Sequence, residues 1–140
     1  MKVVNIPGWI YYLGDEPLLE GSKVGKWMYF YRNKEGWEFA KKMCQKAVES
    51  EIVSEAKCSV IPIQGVSCYY LNIDDDAGHK RVIHFFMDHD MIQQTKTGKL
   101  YNISFKLDTQ TQARKYGSDF QSELKLEQFV DLNTGEWIRT

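Results

Sequence analysis

Three lysines lie in stretches that read as β-strands: Lys26 in "VGKWMYFY", Lys57 in "EAKCSVI" and Lys106 in "LYNISFKLD". Successive strand side chains point to opposite faces. In the first stretch Lys26, Met28 and Phe30 therefore share one face and Trp27, Tyr29 and Tyr31 the other. Both faces are largely apolar, so this strand is either covered by protein on both sides or has one semi-exposed side that a ligand completes. The same alternation sets Glu55, Lys57 and Ser59 against Ala56, Cys58 and Val60. It also sets Leu100, Asn102, Ser104 and Lys106 against a core face of Tyr101, Ile103, Phe105 and Leu107. If Trp27 and Tyr29 pack under helices, three strands each deliver one ammonium group to a common floor. Hydroxyls and an amide accompany them, which suits a phosphate or carboxylate. The ordinary alternative is a set of solvated lysines on the exposed face of an antiparallel sheet.

Beyond the third strand, "DTQTQARKYGSD" reads as a loop. Asp108 can accept main-chain N–H groups of the "TQT" turn and Thr111 can add its hydroxyl, a pair that would fix the loop carrying Arg114 and Tyr116 over the floor. Trp9, Tyr12, Trp37 and Trp137 lie near loops, where an aromatic ring can stack on a nucleobase. Other chemistry finds less support. The run Asp74–Asp76 directly precedes a helical stretch, so helix capping explains it without a metal ion. No GxSxG, P-loop or GxGxxG is present, so hydrolase and nucleotide-hydrolysing readings drop out and no cofactor is expected. Cys44, Cys58 and Cys68 form no CxxC pair and read as reduced core thiols of a cytoplasmic protein.

The elements that must position these residues follow from periodicity and turn residues. The stretch from Gly8 reads as a short extended piece and then a loop up to Gly25; the first strong strand covers residues 26–31, closed by a turn at "RNKEG" whose glycine, Gly36, can take positive φ. Residues 37–50 place Trp37, Ala40, Cys44, Ala47 and Val48 along one stripe of an amphipathic helix. "SEAKCSVIPI" and "GVSCYYLNI" read as a hairpin through "PIQG", and the stretch after Asp74–Asp76 as a second helix burying Val82, Ile83, Phe86 and Met87. At helical spacing His84 shares a side with Lys80 and Arg81, so His79, His84 and His89 read as surface residues remote from the floor. "FQSELKLEQFVDL" reads as a last strand before the turn "NTGEW". With 140 residues and 43% hydrophobic content, one domain spanning 1–140 is expected. Strands outnumber helices, so the expected architecture is α+β: a curved antiparallel sheet with helices on its convex face. The formal charge of −1 provides no global field for duplex nucleic acid or an anionic membrane, and no stretch approaches 18 apolar residues.

"VGKWMYFY", a helix opening at tryptophan, "SEAKCS" and "FKLDTQTQARKYG" together resemble, over about residues 20–120, the family of phosphothreonine lyase domain proteins also called basophilic-leukemia-expressed proteins. "QARKYG" departs from that pattern, where an apolar-glycine step precedes the tyrosine. The resemblance implies the fold of messenger-RNA cap-binding initiation factors. It also implies functional positions at Lys26, Trp27, Lys57, Lys106, Asp108, Thr111 and Tyr116. Phosphothreonine elimination needs a base, an acid and several cations; the lysines are available, whereas the histidines are not on the expected floor. The leading expectation is thus a non-catalytic module that binds a nucleotide or other phosphorylated small molecule. A lyase on the same floor, and a protein-interaction domain that uses exposed aromatics on a protein partner, are the alternatives.

Overall fold

The structure is a computed structural model that describes residues 1–108 and 124–138. Its frame is a six-stranded sheet formed by β1 (Lys2–Ile6), β2 (Trp9–Leu13), β3 (Val24–Tyr31), β4 (Glu55–Ser59), β5 (Gly65–Asn72) and β6 (Lys106–Leu107). The strands lie in the order β1-β2-β4-β5-β3-β6, and every neighbouring pair is antiparallel. Helices α1 (Lys34–Glu49) and α2 (Asp76–Asp88) both pack on one face of this open sheet, as the α+β reading anticipates. Trp27 and Tyr69 are cross-strand partners on that face. Cys44 of α1 sits 3.8 Å from the Tyr69 hydroxyl, and Phe86 of α2 meets the Tyr69 ring at 5.1 Å. Among the described residues no helix is long and apolar enough to cross a membrane.

Local chemistry sets the helix boundaries. Asn33 caps α1 by accepting the Gly36 N–H at 2.6 Å, so "RNKEG" begins the helix instead of closing a positive-φ turn. The inward stripe is Ala40, Met43, Cys44, Ala47 and Val48, with Trp37 only half-buried. Asp75 caps α2 by accepting the Gly78 N–H at 2.9 Å, which is the capping role expected of the aspartate run. The buried face of α2 includes Phe85, while Met87 is half-buried.

Four expectations are corrected. The N-terminal stretch is a full hairpin: Ile6 pairs with Trp9 across Pro7–Gly8, and Gly8 has φ +87°, the left-handed position that a proline-glycine turn of type II requires. The alternating strand at 100–107 shortens to Lys106–Leu107, because the Phe105 N–H donates to the Leu124 carbonyl and the Leu126 N–H to the Ile103 carbonyl, both at 2.9 Å. Backbone pairing with 124–126 thus overrides the side-chain pattern, leaving Tyr101 48% exposed while Phe105 is buried. Within the expected strand at 120–132, the described part carries a 3₁₀ turn at Leu126–Gln128, with Phe129 and Val130 buried after it. Val60, expected inside, is exposed in the β4–β5 connection.

His79 is a further correction, since it is 1% exposed and sits in the core. The Trp27 Nε1–H donates to His79 Nδ1 at 3.0 Å, and His79 Nε2 lies 2.8 Å from the Ile73 carbonyl. An indole N–H only donates, so Nδ1 is the acceptor and the ring is the neutral Nε2–H tautomer, donating to Ile73. Trp27→Phe removes the donor and leaves a buried ring nitrogen short of its partner, a loss of about 1–3 kcal/mol of stability. Urea unfolding measures it; an unchanged midpoint would show that this bond does not hold α2 to the sheet.

Candidate functional site

Period-two geometry carries the sheet's second face. With Trp27 turned under α2, Lys26 points away from the helices, and the register brings its neighbours with it: Lys26 is paired with Tyr70 of β5 on one side and with Lys106 of β6 on the other. Lys57 is paired with Cys68 of β5 and Tyr11 of β2. Lys26, Lys57 and Lys106 therefore share one face, while Phe86, Val82 and Phe105 are buried in the core. Gly25 permits the close approach of β6: a Cβ there would overlap the Phe105 ring and lie 2.7 Å from the Lys106 carbonyl oxygen.

The three ammonium groups have different surroundings. Lys26 is only 7% exposed, and its Nζ donates to Asp108 Oδ1 at 2.8 Å. Asp108 thus does chemistry across the sheet: two residues beyond Lys106 and diagonal to Lys26, it offsets the repulsion between two lysines placed directly opposite one another. Burial pulls the Lys106 ammonium below the ordinary lysine range, and the Lys26 charge adds to the effect.

Lys57 is half-buried, with Nζ 3.9 Å from the Trp9 ring centroid and 5.8 Å from those of Tyr11 and Tyr70. Aromatic faces attract a cation through their quadrupoles. Among the described residues Lys57 makes no salt bridge, so its charge is met by rings and not by a carboxylate. Burial pulls its ammonium below the ordinary range, with Lys26 adding to the shift and Cys68, Asp108 and Glu55 opposing it. Glu55, on the same face, is shifted upward by burial first and by Asp108 second. Burial likewise raises Tyr70, and it pushes the Cys68 thiol up to about 11. Among the described residues the face is therefore a partly buried array of three ammonium groups against two carboxylates, with the Trp9 ring beneath the Lys57 ammonium.

Other expected members lie elsewhere. Trp27 belongs to the core, 0% exposed, because strand alternation puts it opposite Lys26. Ser59 is drawn to the end of the sheet, where its Oγ meets the Tyr31 hydroxyl at 2.7 Å and accepts the Val66 N–H at 3.0 Å. Asn102 accepts the Glu127 N–H at 2.9 Å, and with Ser104 it lines a cleft beside the end of β3. Of the four aromatics, only Trp9 stands with the lysines. Tyr12 is buried under the helices, Trp37 donates to the Ser59 carbonyl, and Trp137 stacks on His84 at 3.8 Å. Thr111, Arg114 and Tyr116 lie outside the described residues. Tyr11 and Tyr70 are members that the lysine pattern alone does not reveal; the alternation of "WIYYL" and "SCYYLN" carries that signal once the hairpin pairing is known. Among the described residues no group of three or more histidine, cysteine, aspartate or glutamate side chains is arranged to hold a metal ion.

Asp108→Asn should destabilise the fold by about 1–3 kcal/mol, since it takes the charged partner from a buried ammonium. In a Lys26→Met background the same change should cost much less, because the two positions are coupled. Equal costs in both backgrounds would show that the pair does not act as a unit. In comparisons with known proteins, no family model matches this chain and no curated protein is significantly similar to it.

Proposed function

We propose that the face opposite the helices binds a nucleotide or other phosphorylated small molecule without transforming it. The observation that carries this reading is the state of Lys57: a half-buried ammonium held over Trp9, bonded to no carboxylate among the described residues, on the same face as Lys26 and Lys106. An oxyanion entering there gains a charge-assisted hydrogen bond in a poorly solvated setting. Trp9 supplies an aromatic surface beside it, on which a base can stack when the lysine turns to phosphate. The overall charge of −1 favours a small focal ligand over a nucleic-acid duplex.

A lyase finds less support on this face. His79 is engaged at both ring nitrogens in the core, and His84 and His89 belong to α2 and its C-terminal cap, on the other side of the sheet. An eliminating enzyme needs an acid for the leaving phosphate, and no histidine among the described residues is placed to be one. Membership of the phosphothreonine lyase domain family, with a cap-binding-like fold, is part of the same proposal and rests on "VGKWMYFY", "SEAKCS" and the segment from Lys106. A cytoplasmic setting fits the three buried, unbridged thiols.

Thermal unfolding with ATP, GTP, a methylated cap analogue and a phosphothreonine peptide tests the reading. A ligand present at about 100 times its Kd adds about 2.7 kcal/mol to stability. At least one compound should raise the midpoint. Lys57→Met should abolish that rise, and Lys57→Arg should keep part of it, because charge survives while geometry changes. No inorganic phosphate should be released from the peptide. Phosphate release that Lys57→Arg abolishes would overturn the non-catalytic reading, since arginine stays protonated and cannot act as a base.

A further inference from the structure

The edge of β3 beyond β6 carries a separate feature. In the ladder with β5 the Ile73 N–H donates to the Lys23 carbonyl at 2.8 Å, and the register runs on from Val24↔Asn72 to Tyr31↔Gly65. Odd-numbered β3 residues are thus the hydrogen-bonded partners of β5, and even-numbered ones turn their N–H and C=O groups to the opposite edge. At Lys26 that edge is filled by β6. Beyond it the chain leaves β3, because residues 103–105 pair with 124–126 instead. Among the described residues, the main-chain groups of Met28 and Phe30 consequently meet no hydrogen-bond partner.

These edge groups open into a cleft of about 440 Å³ between β3 and the segments 91–93 and 101–104. Its apolar walls include Met28, Met91, Phe30 and Tyr101, the last two being 55% and 48% exposed. Arg32 lines the same cleft, exposed and in no ion pair among the described residues, and no carboxylate side chain lines it. Unpaired edge groups match an extended backbone, the aromatic walls match an alternate apolar side chain, and the guanidinium matches a carboxylate.

We infer that this cleft takes a short extended peptide of a partner protein, added to β3 as a strand through Met28 and Phe30, with an acidic side chain on Arg32. The acidic contact is separate from the lysines: Arg32 lies six residues from Lys26, roughly 20 Å along an extended strand.

A random octapeptide library selected on the full chain tests this. Enriched peptides should alternate apolar residues and carry one aspartate or glutamate. A synthetic representative should lose about tenfold or more in affinity on Arg32→Glu and a similar factor when its alternate amides are N-methylated. Its binding should slow hydrogen exchange at the Met28 and Phe30 amides and should be unaffected by Lys57→Met. Failure of the lysine-face reading would leave all of these results intact. Enrichment no greater than on an Arg32→Glu control would overturn the inference, as would peptides whose binding depends on Lys57. Dependence on Arg32 with tolerance of N-methylation would equally overturn strand addition, in favour of simple carboxylate capture.

Discussion

The hydrogen bond from the Trp27 indole to His79 ties the first turn of α2 to β3, and both faces of the sheet depend on it. Trp27 is a donor at one atom only, and His79 spends its other nitrogen on the Ile73 carbonyl. Both partners are effectively without solvent, so neither has water as a substitute. Once Trp27 faces the helices, period-two geometry leaves Lys26 no choice of side. Antiparallel register then carries the same assignment through Tyr70, Cys68 and Lys57 to Tyr11 and Trp9. A core bond on one side thereby fixes the composition of the other.

On that second face the charges are graded by their company. Lys26 is buried and committed to the half-buried Asp108, which makes it a structural charge that also holds Asp108 against β3. Lys106 stands beside it, and its repulsion is moderated by the same carboxylate. Among the described residues Lys57 has π-faces and no salt-bridge partner at close range, an arrangement that stabilises a cation less than a carboxylate contact does and leaves it able to exchange partners at small cost. Pairing one lysine strongly and another weakly separates the charge that maintains the sheet from the one proposed to meet a ligand.

Much of this was legible in the residues. Alternation puts each lysine on one face of its strand, and the register joins those faces into one; the aspartate run is legible as the α2 cap, whereas Asn33 and Pro7–Gly8 carry cap and turn signals that read locally as a strand-closing turn and a loop. What alternation could not show is competition between partners. "LYNISFKLD" has the clearest strand pattern in the chain, yet residues 103–105 bond to 124–126 and only Lys106–Leu107 reaches β3. Asp108 is suited by type to a local turn whose residues lie outside the described ones, and its bond to the buried Lys26 ammonium, 82 residues away in the chain, is one that no local pattern encodes. His79 was readable: it stands at i, i+3, i+4 and i+7 with Val82, Ile83 and Phe86, on the inward stripe, and its polarity obscured that spacing. Ser59 keeps its expected parity but is captured by Tyr31 at the sheet's end, a contact between residues 28 apart that no local pattern encodes.

The central claim is that an oxyanion is received by Lys57 on this face, and the most direct measurement follows the lysine side chains by NMR during titration with ATP and with phosphothreonine. The ε-methylene signals of Lys57 should move most, those of Lys106 and Lys26 less, and the indole N–H of Trp27 should stay in place because it lies beneath the sheet. Shifts confined to lysines away from this face, such as Lys42, Lys46 and Lys96, or none with either compound, would contradict the account.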